Sequence, residues 1–322
     1  MEVYNTILDL VGNTPLVRLN KVTKGLKPII LAKLENLNPG GSVKDRIGAA
    51  MIEEAERKKL LHPGGTIIEP TSGNTGVGLA MAAAVKGYKM IFIMPDKMSE
   101  EKRSVLRAYG AKVVVTPTNL GPESPEHYTK VARRLVRETP NSYMPNQYEN
   151  QANPDVHYLT TGPEIWAQTD GKVDVLVCGM GTGGTITGTG RFLKEKKKTV
   201  RVVGADPEGS IFYSRFHRQN EVPRQYKVEG IGEDFMPGTL DLSVVDDIVQ
   251  VSDADSFQMA RRLAREEGIL VGGSGGTAVG AALRVAEKLD EKNMIVALLP
   301  DTGRNYLSKL YSDSWMKEQG FL

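Results

Sequence analysis

The stretch NPGGSVKDR at residues 38–46 lies between an apolar run at 29–33 and a helical pattern at 48–58. Lys44 is therefore expected near the start of a helix, where backbone N–H groups carry partial positive charge. This environment, together with burial, favours the neutral amine that carbonyl chemistry requires. Taken alone, the stretch is more typical of a surface lysine in a glycine-rich turn.

Apolar runs alternate with amphipathic segments along most of the chain. Continuous apolar character predicts strands covered on both faces, as in parallel sheets. The predicted strands are 29–33, 66–69, 90–94, 113–116, 174–178, 200–205 and 294–299. The predicted helices include 48–58, 77–86, 99–109, 126–137 and 256–267. This alternation predicts an α/β fold of open, twisted sheets flanked by helices.

A second loop, EPTSGNTG at residues 69–76, joins a predicted strand to an alanine-rich helix. Its hydroxyl and amide side chains, with the N–H groups at a helix start, suit a small carboxylate. The alternative is an elaborate helix cap, because Ser, Thr and Asn are also capping residues.

Two further glycine-rich loops each lead into a helix. The loop CGMGTGGT at residues 178–185 favours a single phosphate, because its glycines allow close approach of the backbone to an anion. It lacks the third glycine of a dinucleotide fingerprint, since Ile186 occupies that position, and it lacks the ending of a P-loop. The loop VGGSGGT at 271–277 allows close approach of a flat molecule, although, taken alone, it is better explained as a tight helix entry with a serine cap.

The composition argues against several other functions. The 41 basic and 39 acidic residues nearly cancel, so charge gives no reason to expect a nucleic-acid partner. The single cysteine, Cys178, lies in an apolar run and is expected to pack in a strand. The four histidines are scattered without metal-ligand spacing, so no metal is expected. No signal peptide or membrane-spanning stretch is visible, which favours a cytoplasmic location.

Taken together, the motifs resemble those of the cysteine synthase and cystathionine β-synthase family. The resemblance rests on PGGSVKDR at 39–46, PTSGNTG at 70–76 and GTGGT at 181–185, in the family's order, and runs from about residue 11 to residue 315. It implies a two-domain, fold type II enzyme that uses pyridoxal 5'-phosphate (PLP) and forms a homodimer. It further implies one catalytic unit over residues 1–322, with a smaller lobe at about 45–148 and a larger lobe at about 1–44 plus 149–322.

The resemblance also assigns roles to individual residues. Lys44 is the catalytic residue and holds the cofactor as a Schiff base, Asn74 bonds the ring hydroxyl, and Ser274 faces the pyridine nitrogen. The phosphate is held by the loop Gly181, Thr182, Gly183, Gly184 and Thr185. The substrate-binding set is Thr71, Ser72, Gly73, Thr75, Gln147, Tyr148, Gly230 and Glu233.

A serine opposite the pyridine nitrogen leaves that nitrogen unprotonated, which favours loss of a β-substituent over racemisation or transamination. The implied reaction is β-replacement on L-serine, or on an activated serine or cysteine, by a small-molecule thiol through an aminoacrylate. Homocysteine as the thiol gives L-cystathionine. The alternative is a cysteine synthase that uses O-acetylserine or O-phosphoserine and sulfide.

Details in five segments resemble the cystathionine β-synthase branch: NQYEN at 146–150, DPEGS at 206–210, VEGIG at 228–232, GGS at 272–274 and LPDTGRNY at 299–306. Glu233 departs from the tyrosine of the eukaryotic enzymes, and it could line the pocket or face solvent. We expect no haem domain, no C-terminal regulatory domain and no activation by S-adenosylmethionine. Less favoured readings are a nicotinamide oxidoreductase, a non-catalytic scaffold and a serine or threonine deaminase.

Overall fold

The structure is a computed structural model that describes residues 3–71, 73–96, 98–118, 120–121, 123–220 and 222–322. The chain forms two compact units. The first consists of residues 38–153 together with the amino-terminal residues up to Val11, and the second of residues 12–37 and 154–322.

The strands are β1 (Leu16–Arg18), β2 (Ile29–Leu34), β3 (Thr66–Glu69), β4 (Lys89–Pro95), β5 (Lys112–Thr116), β6 (Ser142–Tyr143), β7 (Val175–Gly179), β8 (Arg201–Pro207), β9 (Asp247–Val251) and β10 (Met294–Leu299). The α-helices are α1 (Lys44–Arg57), α2 (Asn74–Lys86), α3 (Glu100–Ala108), α4 (Tyr128–Glu138), α5 (Ala152–Val156), α6 (Gly162–Gln168), α7 (Gly184–Lys196), α8 (Phe212–Phe216), α9 (Asp253–Arg262), α10 (Gly273–Ala286) and α11 (Asp313–Glu318). Two π-helical turns, His157–Thr161 and Leu263–Glu267, continue α5 and α9.

The first unit is built on a four-stranded parallel sheet in the order β5-β4-β3-β6. The central strand β3 is buried along its whole length, which explains why its sequence reads as a continuous apolar run before Glu69. Because β3 and β6 are parallel neighbours, the segments that follow Glu69 and Tyr143 begin at the same edge of the sheet.

The second unit contains a six-stranded sheet in the order β1-β2-β10-β7-β8-β9. Only β1 is antiparallel to its neighbour among these pairings. The adjacent strands β10, β7 and β8 all end at one edge, so the loops that follow them are brought together there. In open α/β sheets this carboxyl edge is where ligands bind.

The α/β fold predicted from the sequence is confirmed, and each predicted strand is present. The sequence missed β1, β6 and β9. The two residues of β6 are too few for a periodicity, and β9 is only partly buried and has an apolar run of two residues between Asp247 and Gln250. The first helix was predicted to begin at Gly48, but it begins four residues earlier, at Lys44.

Within the ranges given above, no helix has the length and apolar character needed to cross a bilayer. In the same ranges, no group of three or more histidine, cysteine or acidic side chains is placed to hold a metal ion. Cys178 is buried in β7, as predicted, and burial raises the pKa of its thiol.

Helices α1 and α2 approach each other closely at two glycines. A Cβ added at Gly48 would lie 2.7 Å from the carbonyl oxygen of Gly78, and a Cβ added at Gly78 would lie 2.5 Å from the carbonyl oxygen of Lys44. Both distances are shorter than any ordinary contact between a Cβ atom and a carbonyl oxygen, so a side chain at either position would push the two helices apart. The two glycines therefore allow the backbone at the start of α1 to touch the backbone of α2.

Replacement of Gly48 by alanine tests this packing. We expect Gly48→Ala to lower the free energy of unfolding by about 1–3 kcal/mol, because an added methyl group in a packed contact forces the helices apart. This cost exceeds the ~1 kcal/mol that alanine gains over glycine in a helix interior. Urea unfolding measures the difference. Gly121→Ala is the control, since a Cβ at Gly121 meets nothing within 4 Å; equal stability of the two variants would contradict the packing argument.

Candidate active site

Lys44 is the first residue of α1 and is half-buried. Its backbone N–H donates to the Oγ of Ser42 at 3.2 Å. The preceding turn is fixed by the buried carboxylate of Asp45, which accepts the N–H of Gly40 at 2.6 Å. Gly41 has a φ of 85°. This left-handed backbone conformation favours glycine, which explains why a glycine occupies this position of the turn. The lysine is therefore presented from a rigid helix start rather than from a mobile loop.

The close contact with Gly78 places the backbone of Lys44 beside α2, one turn beyond Asn74. Asn74 is the first residue of α2, and its helix N-cap is Gly73. One turn of helix is ~5.4 Å, so the lysine backbone lies within a short distance of the start of α2. The structure thus brings together two segments that the sequence marked separately.

Thr71, Thr75 and Gln147 form a buried polar group at the edge where β3 and β6 end. The hydroxyl of Thr75 donates to the Oε1 of Gln147 at 2.5 Å. The backbone carbonyl of Gln147 accepts the side-chain amide of Asn153 at 2.8 Å. Ser72, the remaining hydroxyl of the predicted substrate site, lies outside the described residues. Tyr148 follows Gln147 and is half-buried.

Glu69 ends β3 at this edge and was not among the predicted site residues. The residue is 2% exposed, and its carboxylate accepts the backbone N–H groups of Asn146 at 3.0 Å and Gln147 at 3.4 Å. Burial raises the pKa of Glu69 to about 7, although the two N–H donors oppose that shift. The only sequence signal was a charged residue at the end of an apolar strand.

In the second unit, the predicted phosphate loop joins β7 to the start of α7. Gly183 is the N-cap of α7 with a φ of 83°, and a Cβ there would lie 2.8 Å from the Cα of Leu240. A Cβ at Gly181 would lie 2.7 Å from the carbonyl oxygen of Gly230. The first N–H groups of a helix have no acceptor within the helix, so a turn of this shape suits a small anion, and we call residues 181–185 the anion cup. Gly184, the first residue of α7, is buried behind it.

Side chains from neighbouring segments form hydrogen bonds with the carbonyl of Thr182 and the hydroxyl of Thr185 in this loop. The carbonyl of Thr182 accepts the hydroxyl of Thr239 at 2.5 Å. The Oγ of Thr185 lies 3.2 Å from the Nε2 of His157, whose Nδ1 lies 2.9 Å from the Oγ of Thr161. His157 is buried in the π-helical turn after α5. The sequence did not identify His157, because its role depends on a contact with a residue 28 positions away.

Ser274 is buried in the first turn of α10. The segment before it is tied to the residues after β10: the N–H of Gly272 donates to the carbonyl of Asp301 at 3.2 Å, and Val271 pairs with Thr302. The hydroxyl of Tyr306 donates to the Oδ2 of Asp301 at 2.7 Å, which orders that segment. Ser274 therefore belongs to the same sheet edge as the phosphate loop.

Glu233 is half-buried and follows the glycine turn that contains Gly230. Its backbone N–H donates to the Oγ of Ser210 at 3.2 Å, and its carbonyl accepts the N–H of Ile211 at 3.0 Å. Nearby, burial raises the pKa of Asp206 to about 6. The backbone of Glu233 is thus fixed beside the turn that follows β8.

These donors fit pyridoxal phosphate. A glycine turn at the start of the 13-residue helix α7, with two threonine hydroxyls, suits a phosphate monoester. A buried, uncharged serine suits a pyridine nitrogen without a proton, and a half-buried lysine at a helix start suits an aldehyde. An α/β fold with such residues is typical of the class of enzymes that use an aldehyde cofactor.

Comparison with known proteins agrees with this class. The family model described as pyridoxal-phosphate dependent enzyme matches residues 7–301, so the chain belongs to that family. Over its whole length the chain is 54% identical to a cystathionine beta-synthase of Apis mellifera, of which it spans 64%. The chain therefore spans less than two thirds of the length of this curated relative.

Two solved structures are similar over nearly their whole length. One is an O-acetylserine dependent cystathionine beta-synthase from Helicobacter pylori, with 40% identity and a TM-score of 0.86, covering 96% of this chain and 99% of that one. The other is a hydrogen sulfide-producing enzyme from Fusobacterium nucleatum, with 40% identity and a TM-score of 0.88, covering 94% and 98%.

Replacement of Gly183 by alanine tests the anion cup. The change combines a left-handed backbone with a contact to Leu240, which together cost about 1–3 kcal/mol at this turn. We expect Gly183→Ala to weaken pyridoxal-phosphate binding by about tenfold or more, measured by absorbance titration of the apoprotein. Gly268→Ala is the control, because Gly268 also has a positive φ of 73° but meets nothing within 4 Å. Equal cofactor affinity in the two variants would show that the turn does not hold the phosphate.

Proposed function

We propose that the protein catalyses β-replacement on L-serine by homocysteine, giving L-cystathionine and water. The observation that carries this proposal is the similarity of this whole chain to part of a cystathionine beta-synthase, which extends through every motif of the site. The geometry adds support, since it groups a lysine with polar side chains suited to an amino-acid carboxylate. When bound, pyridoxal phosphate supplies an aldehyde that condenses with the substrate amine and a ring that withdraws electrons from its α-carbon.

In this proposal each residue has a definite task. The amine of Lys44 holds the cofactor at rest, then takes the proton from the α-carbon and protonates the departing β-hydroxyl as water. Thr71, Thr75 and Gln147, with Ser72 and Gly73, hold the substrate carboxylate. Asn74 donates to the hydroxyl of the cofactor ring.

The second unit contributes the remaining contacts. Gly181, Thr182, Gly183, Gly184 and Thr185 hold the phosphate. Ser274 leaves the pyridine nitrogen without a proton, so that elimination is favoured over side reactions at the α-carbon. Gly230 and Glu233, like Tyr148 of the first unit, are assigned to substrate binding.

We also propose a homodimer in a reducing, cytoplasmic setting, which the single buried cysteine supports. The lobe boundaries near residues 45 and 148 stay a prediction. Size-exclusion chromatography with light scattering tests the dimer.

O-acetylserine is the second candidate donor. It is favoured by the Helicobacter pylori structure, whose description names that donor and which the chain matches over 99% of its length. In that case acetate leaves in place of water, and the same residues act. Cysteine is a third candidate donor, and its β-replacement would release sulfide. This donor is included because the similar structure from Fusobacterium nucleatum is that of a hydrogen sulfide-producing enzyme.

Product identification separates the candidates. The holoenzyme is mixed with L-serine, O-acetyl-L-serine or L-cysteine, each with homocysteine and with sulfide, and the products are measured by mass spectrometry. We expect cystathionine from serine and homocysteine at a higher kcat/KM than cysteine from O-acetylserine and sulfide. The reverse order would make the protein a cysteine synthase.

Replacement of Lys44 tests the catalytic assignment. We expect Lys44→Ala to abolish both the visible absorption of the bound cofactor and turnover while the fold is kept, because the amine that bonds the aldehyde is gone. Borohydride reduction of the parent protein should tag the peptide that contains Lys44. Lys58→Ala changes an exposed lysine at the other end of α1 and should leave both signals unchanged. A cofactor tag on another lysine would refute the assignment.

A further inference from the structure

Glu69 occupies an unusual position for a carboxylate. It ends the buried strand β3, and its oxygens face the backbone N–H groups of two successive residues, Asn146 and Gln147. Asn146 has a φ of 52°, and such a left-handed residue lets consecutive N–H groups converge on one anion. Concavities formed by successive N–H groups commonly bind the anionic group of a ligand. Here the anion is the carboxylate of Glu69.

The turn that Glu69 holds carries Gln147. The Oε1 of Gln147 accepts the hydroxyl of Thr75, so the amide nitrogen is the end that can donate to an anion. The backbone of Gln147 is fixed on one side by Asn153 and on the other by Glu69. The contacts with Thr75, Asn153 and Glu69 therefore orient the amide, and Glu69 is the partner among these three that can carry a charge.

We propose that Glu69 is a positioning residue for the substrate-carboxylate site: its negative charge holds the turn at Asn146 and Gln147 so that the amide of Gln147 is directed to the substrate carboxylate. This inference rests on the proposed function, in which Gln147 binds that carboxylate. Glu69 acts through Gln147 and does not itself touch the substrate.

A neutral side chain is the more favourable occupant of this position for folding alone. Burial raises the pKa of Glu69 to about 7, above the ordinary value of 4.5. A carboxyl group whose pKa is raised by folding binds its proton more tightly in the folded state. The free energy of unfolding therefore falls as pH rises from the ordinary pKa of 4.5 to the folded-state pKa of about 7. The facing titratable group on β6 is Tyr143, whose own pKa is raised by burial and, less strongly, by Glu69 and by Glu54 of α1. The charge at Glu69 is therefore unfavourable for stability, and its benefit lies in holding the turn.

The variant Glu69→Gln separates these two effects. The N–H groups of Asn146 and Gln147 donate to two different oxygens of Glu69. A glutamine keeps the size of the side chain but has an NH2 donor in place of one of these oxygens, so one N–H group faces a donor instead of an acceptor. We expect the holoenzyme of Glu69→Gln to unfold at the same or higher urea concentration at pH 8. We expect its KM for the amino-acid donor to rise about tenfold, with the cofactor absorption unchanged and kcat changed less than twofold. Amide hydrogen exchange in the peptide 143–150, followed by mass spectrometry, should become faster.

A double-mutant cycle with Gln147→Ala identifies the route of the effect. If Glu69 acts through Gln147, then Glu69→Gln raises KM in the parent protein but not in the Gln147→Ala background. An equal rise in KM in both backgrounds would overturn the proposal, and so would unchanged KM in Glu69→Gln. The parent KM should also rise as pH falls below about 7, because a protonated carboxyl group loses one acceptor, and Glu69→Gln should lack this dependence.

The exchange measurement needs no turnover, so it tests the contact independently of the proposed reaction. Faster exchange in Glu69→Gln supports the role of Glu69 in holding the turn even if the donor is an amino acid other than serine. Unchanged exchange means that Glu69 does not hold the turn. A parent protein that performs none of the β-replacement reactions, by contrast, contradicts the proposed function.

Discussion

Parallel strand pairing is the constraint on which both candidate sites depend. In each unit the loops that carry chemistry follow strands that run in the same direction and lie side by side. In the first unit, β3 and β6 deliver the Thr71–Thr75 segment and the Gln147 turn to one edge. In the second unit, β10, β7 and β8 deliver the segments that begin at Pro300, Met180 and Glu208. Residues far apart in the chain thus meet because their strands end together.

Glycine then determines how closely these segments approach. The contact between Gly48 and Gly78 brings the backbone at Lys44 against α2, and the contact at Gly181 brings the anion cup against Gly230. Another glycine, Gly276, allows α10 to touch the backbone of α9 at Ser256. A side chain at any of these positions would separate the backbones. Motif glycines in this protein therefore serve close packing as much as turn formation.

Buried polar groups fix the final orientations. Glu69 and Thr75 orient Gln147 from two sides, and His157 and Thr239 lie behind the anion cup. Such groups carry little stabilisation in themselves, since each exchanges a hydrogen bond to water for one inside the protein. Their contribution is geometric, because an unsatisfied buried partner would be costly and so each group has one favourable arrangement.

The sequence by itself determined the α/β class, the interior strands and the four loops, because continuous apolar runs and glycine-rich turns are local signals. It also placed Lys44 near a helix start, and α1 begins at that residue. Only the tertiary structure decided the pairing of the two-residue strand β6 with β3, the contact of Gly78 with Lys44 and the roles of Glu69 and His157. These features depend on neighbours that are distant in the chain, and no local pattern encodes which distant N–H group or hydroxyl a buried side chain will meet.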